Sequence, residues 1–404
     1  MTPRSAFAYL TTLMLAAAAP AIHAADDRDA PSDLPTHFAL GQDTVAGVTA
    51  LYQFDVNRYA QDRGRFDDAA TNRRKYLGLY LRHPGLYDAI VQYDFQAKQW
   101  SDTYIRVRSQ GLLGADVGLF RFGYSKTPVG FEGATSAAAT TFIETALPTQ
   151  AVWEGRRSGL DWAFLRPTYL VNVGYYFVPE DLDGNNPGRS VAARFAWVPI
   201  QRDGHVLHLG ISASRETPEW HAGQPPSARF RARPEDGLSP VMLVDSGTLP
   251  HTDRIDRRGL EALWIDGPWS VQGEYLQATA QRGDGLPDYK VHGYYAYATW
   301  TLTGESRVYA DGSVSERRYR SADRSAIHPA GHAWGALEIA LRYSQLDMDD
   351  TRPAGGREHD WTLGANWYLG THLKFQANEV WAASTRQERQ AGPHITELRA
   401  QLSF

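Results

Sequence analysis

The chain has 404 residues, 41 basic and 46 acidic side chains, 12% aromatic residues and no cysteine. The missing thiols exclude a disulfide scaffold, a thiol nucleophile and a thiolate metal site, and the acidic balance argues against nucleic acid as a partner. Beyond the N-terminus no apolar run approaches the ~18 residues of a membrane-crossing helix, which excludes a helical membrane protein.

Residues 1–24 read as a cleaved signal peptide. Arg4 supplies the positive charge, Leu10 to Ala19 the apolar stretch, Pro20 its end, and Ala24 the favoured cleavage point, with Ala21 as the alternative. Cleavage removes Arg4 and no acid, leaving 40 basic against 46 acidic side chains. A short polar segment, 25–44, follows, and from about residue 45 to the last residue, 404, side chains alternate between apolar and polar. Such alternation puts successive side chains on opposite faces of a strand.

In chain order the runs include Tyr87/Ala89/Val91/Tyr93/Phe95, Tyr169/Val171/Val173/Tyr175/Phe177, Val191/Ala193/Phe195/Trp197 and Leu337/Ile339/Leu341/Tyr343. The clearest sets Trp361, Leu363, Ala365, Trp367 and Leu369 against Thr362, Gly364, Asn366 and Tyr368, and the link Gly370-Thr371 returns it as a hairpin through Leu373, Phe375, Ala377 and Trp381. Tight links such as Arg166-Pro167 and Gly267-Pro268 alternate with polar stretches such as 179–188 and 281–288. Long strands with apolar outer faces, short turns at one rim and long loops at the other describe an all-β, antiparallel transmembrane barrel. At roughly 24 residues per strand and connection, the mature length gives about sixteen strands, wide enough for an aqueous channel. The chain ends on an alternating strand with a terminal aromatic, Leu398 to Phe404.

Phase assigns the charges, because Arg or Lys facing lipid at the midplane costs ~2–4 kcal/mol whereas a wet lumen tolerates it. With Leu77, Leu79 and Leu81 outward, Arg74 and Arg82 face in. With Thr103, Ile105 and Val107 outward, Arg106 and Arg108 face in, and Arg194 and Arg342 follow the same rule beside Asp94, Glu261, Glu274 and Glu338. Arg121 joins the cations expected along the channel. Arg229, Arg231 and Arg233 share one side of an extended segment, an arginine ladder suited to phosphate because the guanidinium fork grips it bidentately; a solvated basic patch on an outer loop would look the same. The stretch 125–157, rich in small residues with Lys126, Arg156 and Arg157 at its ends, is too long for a link and is expected to fold inward as a constriction.

Several motifs, in this order, resemble the phosphate-selective porin O/P family across nearly the whole mature chain. They are Asn72-Arg73-Arg74-Lys75-Tyr76-Leu77-Gly78, Gln92-Tyr93-Asp94-Phe95, Gly123-Tyr124-Ser125-Lys126-Thr127-Pro128-Val129-Gly130, Thr135-Ser136, and Phe142-Ile143-Glu144. Arg233-Pro234-Glu235, Val244-Asp245-Ser246-Gly247, Gln272-Gly273-Glu274-Tyr275 and the run from Ala340 to Asp347 continue it. The resemblance implies a sixteen-stranded trimeric outer-membrane porin with an inward-folded eyelet and a basic path for small anions such as phosphate, pyrophosphate or polyphosphate. It also implies contact with outer-membrane lipid and lipopolysaccharide, and no cofactor. Carried over by position, Lys126 is similar to the family's constriction lysine, Arg229, Arg231 and Arg233 to its guiding arginines, and Asp94 to an acid on the third strand. Thr145 departs from the pattern, since arginine often follows the Phe-Ile-Glu triplet, and Ala137-Ala138-Ala139 replaces more polar residues. Both make the eyelet less basic.

Three other readings fit less well. An outer-membrane enzyme would need a nucleophile elbow or a zinc-binding His pair, and neither motif occurs. The stretch 181–186 offers oxygen ligands for calcium but lacks the glycine and glutamate positions of an EF-hand. A channel for sugar-like solutes, or a receptor using its outer loops, would share the barrel and differ in what lines it.

Overall fold

Strand follows strand in chain order, each hydrogen-bonded to the next, in the computed structural model, which describes residues 36–41, 43–62, 65–178, 187–202, 204–220, 223–309, 334–349, 352–370 and 372–404. The signal peptide and the calcium-like stretch 181–186 lie outside the described residues. The first wall is β1 (Thr44–Ala60), β2 (Ala69–His83), β3 (Tyr87–Asp94), β4 (Gln99–Arg108), β5 (Leu119–Lys126) and β6 (Arg156–Arg166). It continues with β7 (Tyr169–Val178), β8 (Gly188–Arg202), β9 (His205–Pro218), β10 (Thr252–Asp266) and β11 (Trp269–Arg282). Then come β12 (Tyr289–Thr301), β13 (Ala336–Asp347), β14 (Arg357–Leu369), β15 (Leu373–Arg386) and β16 (His394–Ser403). These sixteen strands are antiparallel, and β16 pairs back onto β1, from Ser403 opposite Leu51 to His394 opposite Ala60.

Closure leaves no edge, which matters because an unpaired backbone group facing lipid costs several kcal/mol. The terminal aromatic takes part. Phe404 exchanges backbone hydrogen bonds with Ala50 at 2.7 and 3.0 Å, and Thr49 Oγ1 donates to the Phe404 carbonyl at 2.9 Å. His37–Leu40 adds a short strand against the start of β1.

Outward faces are apolar as the alternation predicts. On β14 Trp361 and Leu363 are exposed while Thr362 and Asn366 are buried on the lumen side. Trp197, Trp264, Trp269 and Trp300 form a belt toward the short-turn rim, with Trp269 stacked on Trp300 at 4.9 Å. Trp100, Trp361 and Trp381 stand toward the other rim. Two aromatic belts around an apolar band suit the two membrane interfaces.

Two connections depart from the expected pattern of short turns at one rim. Between β4 and β5, residues 109–118 hold the helix α1 (Ser109–Leu113). After β12, residues 302–309 turn back into the barrel, where Arg307 pairs with Glu338 at 3.2 Å and Tyr309 meets His208 at 2.7 Å.

Candidate functional site

The long segment between β5 and β6, residues 127–155, crosses the lumen instead of standing above it. Its first turn, α2 (Phe131–Ala134), is fixed to the far wall. There Glu274 accepts the backbone N–H groups of Phe131 and Glu132 at 2.5 and 2.8 Å, and Phe131 packs among Val198, Val206, Leu263 and Ile265. A second turn, α3 (Leu147–Val152), seats Leu147 and Val152 in an apolar cluster with Leu276, Val291 and Leu346 of β11–β13. Burying each such side chain is worth ~1.5–3 kcal/mol.

Between the two turns the segment is held by its carbonyls. Gln53 donates to Ala137 at 3.2 Å, Gln401 to Ala138 at 3.0 Å, and Lys374 to Thr140 at 2.6 Å. Asn366 and Gln376 both reach Thr141 at 2.9 and 3.0 Å, Arg399 reaches Ile143 at 2.8 Å, and Arg342 reaches Glu144 at 3.0 Å. Small side chains at 137–139 let this backbone lie close to the wall. Gly364 serves the same end, because a Cβ there would stand 3.1 Å from the Phe142 ring.

A second inserted segment, 219–251, runs between β9 and β10. Phe230 and Ala232 are buried in the same apolar cluster as α3, so Arg229, Arg231 and Arg233 share the opposite face, as the spacing predicts. Arg229 is gripped by Asp245 through Nε at 2.9 Å and Nη2 at 2.5 Å. That pairing raises the guanidinium and, against burial, holds the Asp245 carboxyl below its usual range. Among the described residues Arg231 and Arg233 have no carboxylate partner, and Arg233 Nε is buried without a hydrogen-bond acceptor. Glu235 of the same segment takes Arg342 at 2.6 Å, and Asp236 accepts from Asn57 and Tyr59, both at 2.6 Å. Burial pushes the Asp236 carboxyl up.

The other expected cations do not form one continuous path. Arg106 is locked to Asp88 and Arg121 to Asp161, through Nε at 3.1 and 2.7 Å, with Tyr104 5.5 and 5.4 Å from the two guanidiniums. Arg108 lies apart, half-buried at the short-turn rim beside α1. Arg156 forks onto Asp102 at 2.9 and 3.2 Å, and Arg157 lies 3.7 Å from Glu216. Lys126 is buried at the base of the inserted segment, its Nζ donating to the Thr135 carbonyl and standing 5.5 Å from the Trp153 ring. Asp94 accepts the backbone N–H groups of Lys75 and Gln96 at 3.2 and 2.9 Å, so it shapes the end of β3.

A cluster of basic groups lies where β1, β2 and β16 face residues 143–144. A bulge sets Gln53 opposite Arg74 and Phe54 opposite Asn72, leaving Arg73 as the extra residue. Two consecutive arginines then serve the lumen, which regular alternation forbids. Arg74 donates to Gln53 Oε1 at 2.7 Å, and Arg399 forks onto Asp55 at 2.7 and 2.6 Å. Arg73 pairs with Glu144 at 3.0 Å. Burial alone would raise the Glu144 carboxyl, but Arg73, Arg74 and Arg399 override it and hold it at about 2. Phase reading missed Arg73, Glu144 and Arg399 as site residues. The signal available was the Arg73-Arg74 doublet, which a regular strand cannot place on one face.

The sequence is similar over 85% of its length to Porin O of Pseudomonas aeruginosa, at 28% identity and covering 85% of that protein. An uncharacterized protein of Caulobacter vibrioides is 28% identical over 60% of this chain and 49% of its own. The fold is similar to that of an anion-selective porin from Comamonas acidovorans, with a TM-score of 0.54 and 13% identity over 90% of this chain and 100% of the other. The OmpT outer-membrane protein of Vibrio cholerae gives 0.58 and 10% identity over 90% and 99%. A closed barrel with a wall-anchored segment across its lumen thus recurs with a match to the phosphate-selective porin O and P family over residues 47–404, and the chain belongs to that family.

Proposed function

We propose that the protein is a water-filled channel of the outer membrane that passes small anions by diffusion, works as a homotrimer and carries out no catalysis. The observation that carries this reading is the contrast among lumen arginines. Arg106, Arg121, Arg156 and Arg229 are each compensated by a carboxylate. Arg74, Arg231 and Arg233 have none within ion-pair distance among the described residues, and Arg74 leans only on a neutral amide. Uncompensated guanidiniums beside a constriction favour anions over cations and offer a bidentate edge to phosphate-like groups. Arg231 and Arg233 then guide the solute to Arg74. Lys126, Arg106, Arg108, Arg121, Arg156, Arg157 and Arg229 contribute a weaker, largely neutralised field, with Asp94 a structural acid.

Membership of the phosphate-selective porin O and P family and the anion selectivity named for the Comamonas acidovorans porin support the anion reading. A trimer form named for the Vibrio cholerae protein supports the assembly. The two tryptophan belts suit contact with lipid and lipopolysaccharide. In planar bilayers, inorganic phosphate and pyrophosphate should reduce the chloride current in a saturable way. Block by maltose without any effect of phosphate would replace this reading with an organic-solute channel.

A further inference from the structure

We propose that Glu144 sets the selectivity of the constriction, acting as a tethered counter-ion that occupies the arginine site and weakens its hold on free anions. This rests on the anion-channel reading above. Glu144 Oε1 lies 3.0 Å from Arg73 Nε, and Oε2 lies 3.4 Å from Arg73 Nη2. The carboxylate therefore covers the same two-pronged edge that a phosphate would take. Oε1 also stands 3.5 Å from Arg399 Nη2, so one carboxylate serves two cations.

The carboxylate cannot swing far away. Its own backbone carbonyl accepts from Arg342 at 3.0 Å and the preceding carbonyl from Arg399 at 2.8 Å. Segment 219–251 closes the other side, since a Cβ on Gly237 would stand 2.2 Å from Glu144 Oε1 and 2.7 Å from Arg73 Nε. An internal ligand held this way competes at a high effective concentration with every anion that arrives. Arg399 is already matched by Asp55, and Arg74, which feels Glu144 only at longer range, is the cation of the cluster with no carboxylate within ion-pair distance among the described residues. Anions still prefer this lumen to cations, but each pays to displace a resident carboxylate, and a multivalent anion gains less over chloride than bare arginines would give it.

The test uses the full-length protein in planar bilayers, reading the reversal potential in a potassium chloride gradient and the block of chloride current by inorganic phosphate. For Glu144→Gln the chloride-to-potassium permeability ratio should rise several-fold, and the half-blocking phosphate concentration should fall about tenfold as the internal competitor is lost. A reversal potential and phosphate block equal to those of the unsubstituted protein, or a shift toward potassium, would overturn the proposal. If Glu144→Gln fails to assemble, Glu144→Asp gives the reading instead. It keeps the charge but withdraws it one carbon from Arg73, and tighter phosphate block is expected, whereas unchanged block overturns the proposal. The two readings separate cleanly: the unsubstituted channel's own reversal potential tests anion preference, and the difference between variant and parent tests Glu144.

Discussion

To a passing anion, a guanidinium with a carboxylate in its fork differs from one without. Arg399 is fully buried with Asp55 in its fork and Glu144 beside it. Replacing it by methionine leaves the buried Asp55 without its ion-pair partner, so a loss of ~3–5 kcal/mol is expected, read as a lower unfolding temperature of the detergent-purified barrel. Arg231→Ser with Arg233→Ser removes uncompensated charge, exposed at 231 and half-buried at 233, and should leave that temperature unchanged. The pair should instead lower the chloride-to-potassium permeability ratio a few-fold, more so at low salt, where screening over ~8 Å or more is weaker. Glu144 gives a pH signature. Its carboxyl is depressed to about 2, so the charge, with the constraint it places on the segment, persists above the ordinary carboxyl range and is lost only as pH falls through about 2. The groups facing it are Arg73 and Arg74 on β2, Arg399 and Glu397 on β16, Asp55 on β1 and Asp236 on the second inserted segment. The difference in reversal potential between the parent and Glu144→Gln should therefore stay constant from pH 7 to 4; a difference that vanishes near pH 4–5 would mean an ordinary solvated carboxylate. Phase alone found Arg74, Arg106 and the ladder, because alternation is local. It could not find Arg73, whose position depends on a bulge created by pairing with β1, nor the carboxylates that cancel Arg106, Arg121 and Arg156.

The inserted segment 127–155 was legible as an element from its length and its small residues at a point where a strand link would suffice. What holds it was not. The donors to its carbonyls, Gln53, Arg342, Asn366, Lys374, Gln376, Arg399 and Gln401, are spread over β1, β13, β14, β15 and β16, brought together only by barrel closure. The alanines at 137–139, read from sequence as a loss of basic character, also have a positive use: the carbonyls of Ala137 and Ala138 take wall amides at close range. Deleting residues 130–145 removes α2 and most of the anchored stretch while keeping α3. Single-channel conductance should rise severalfold, since the pore then approaches the width of an unobstructed sixteen-stranded barrel. Unchanged conductance would mean that the segment does not set the narrowest point.

At the scale of the molecule, strand number followed from chain length and the ~9–11 residues a tilted crossing strand needs. The apolar outer face followed from period two. The return of residues 302–309 into the lumen did not, because Arg307 and Tyr309 find Glu338 and His208 only once the barrel exists. Assembly is a separate question: the detergent-purified full-length protein should have three times the monomer mass, and a monomer at all concentrations would refute the trimer. The most direct measurement of the whole account is the zero-current potential of the unsubstituted channel across a tenfold potassium chloride gradient in a planar bilayer. A sign favouring chloride over potassium is predicted from the uncompensated Arg74, Arg231 and Arg233, and a sign favouring potassium would contradict the account.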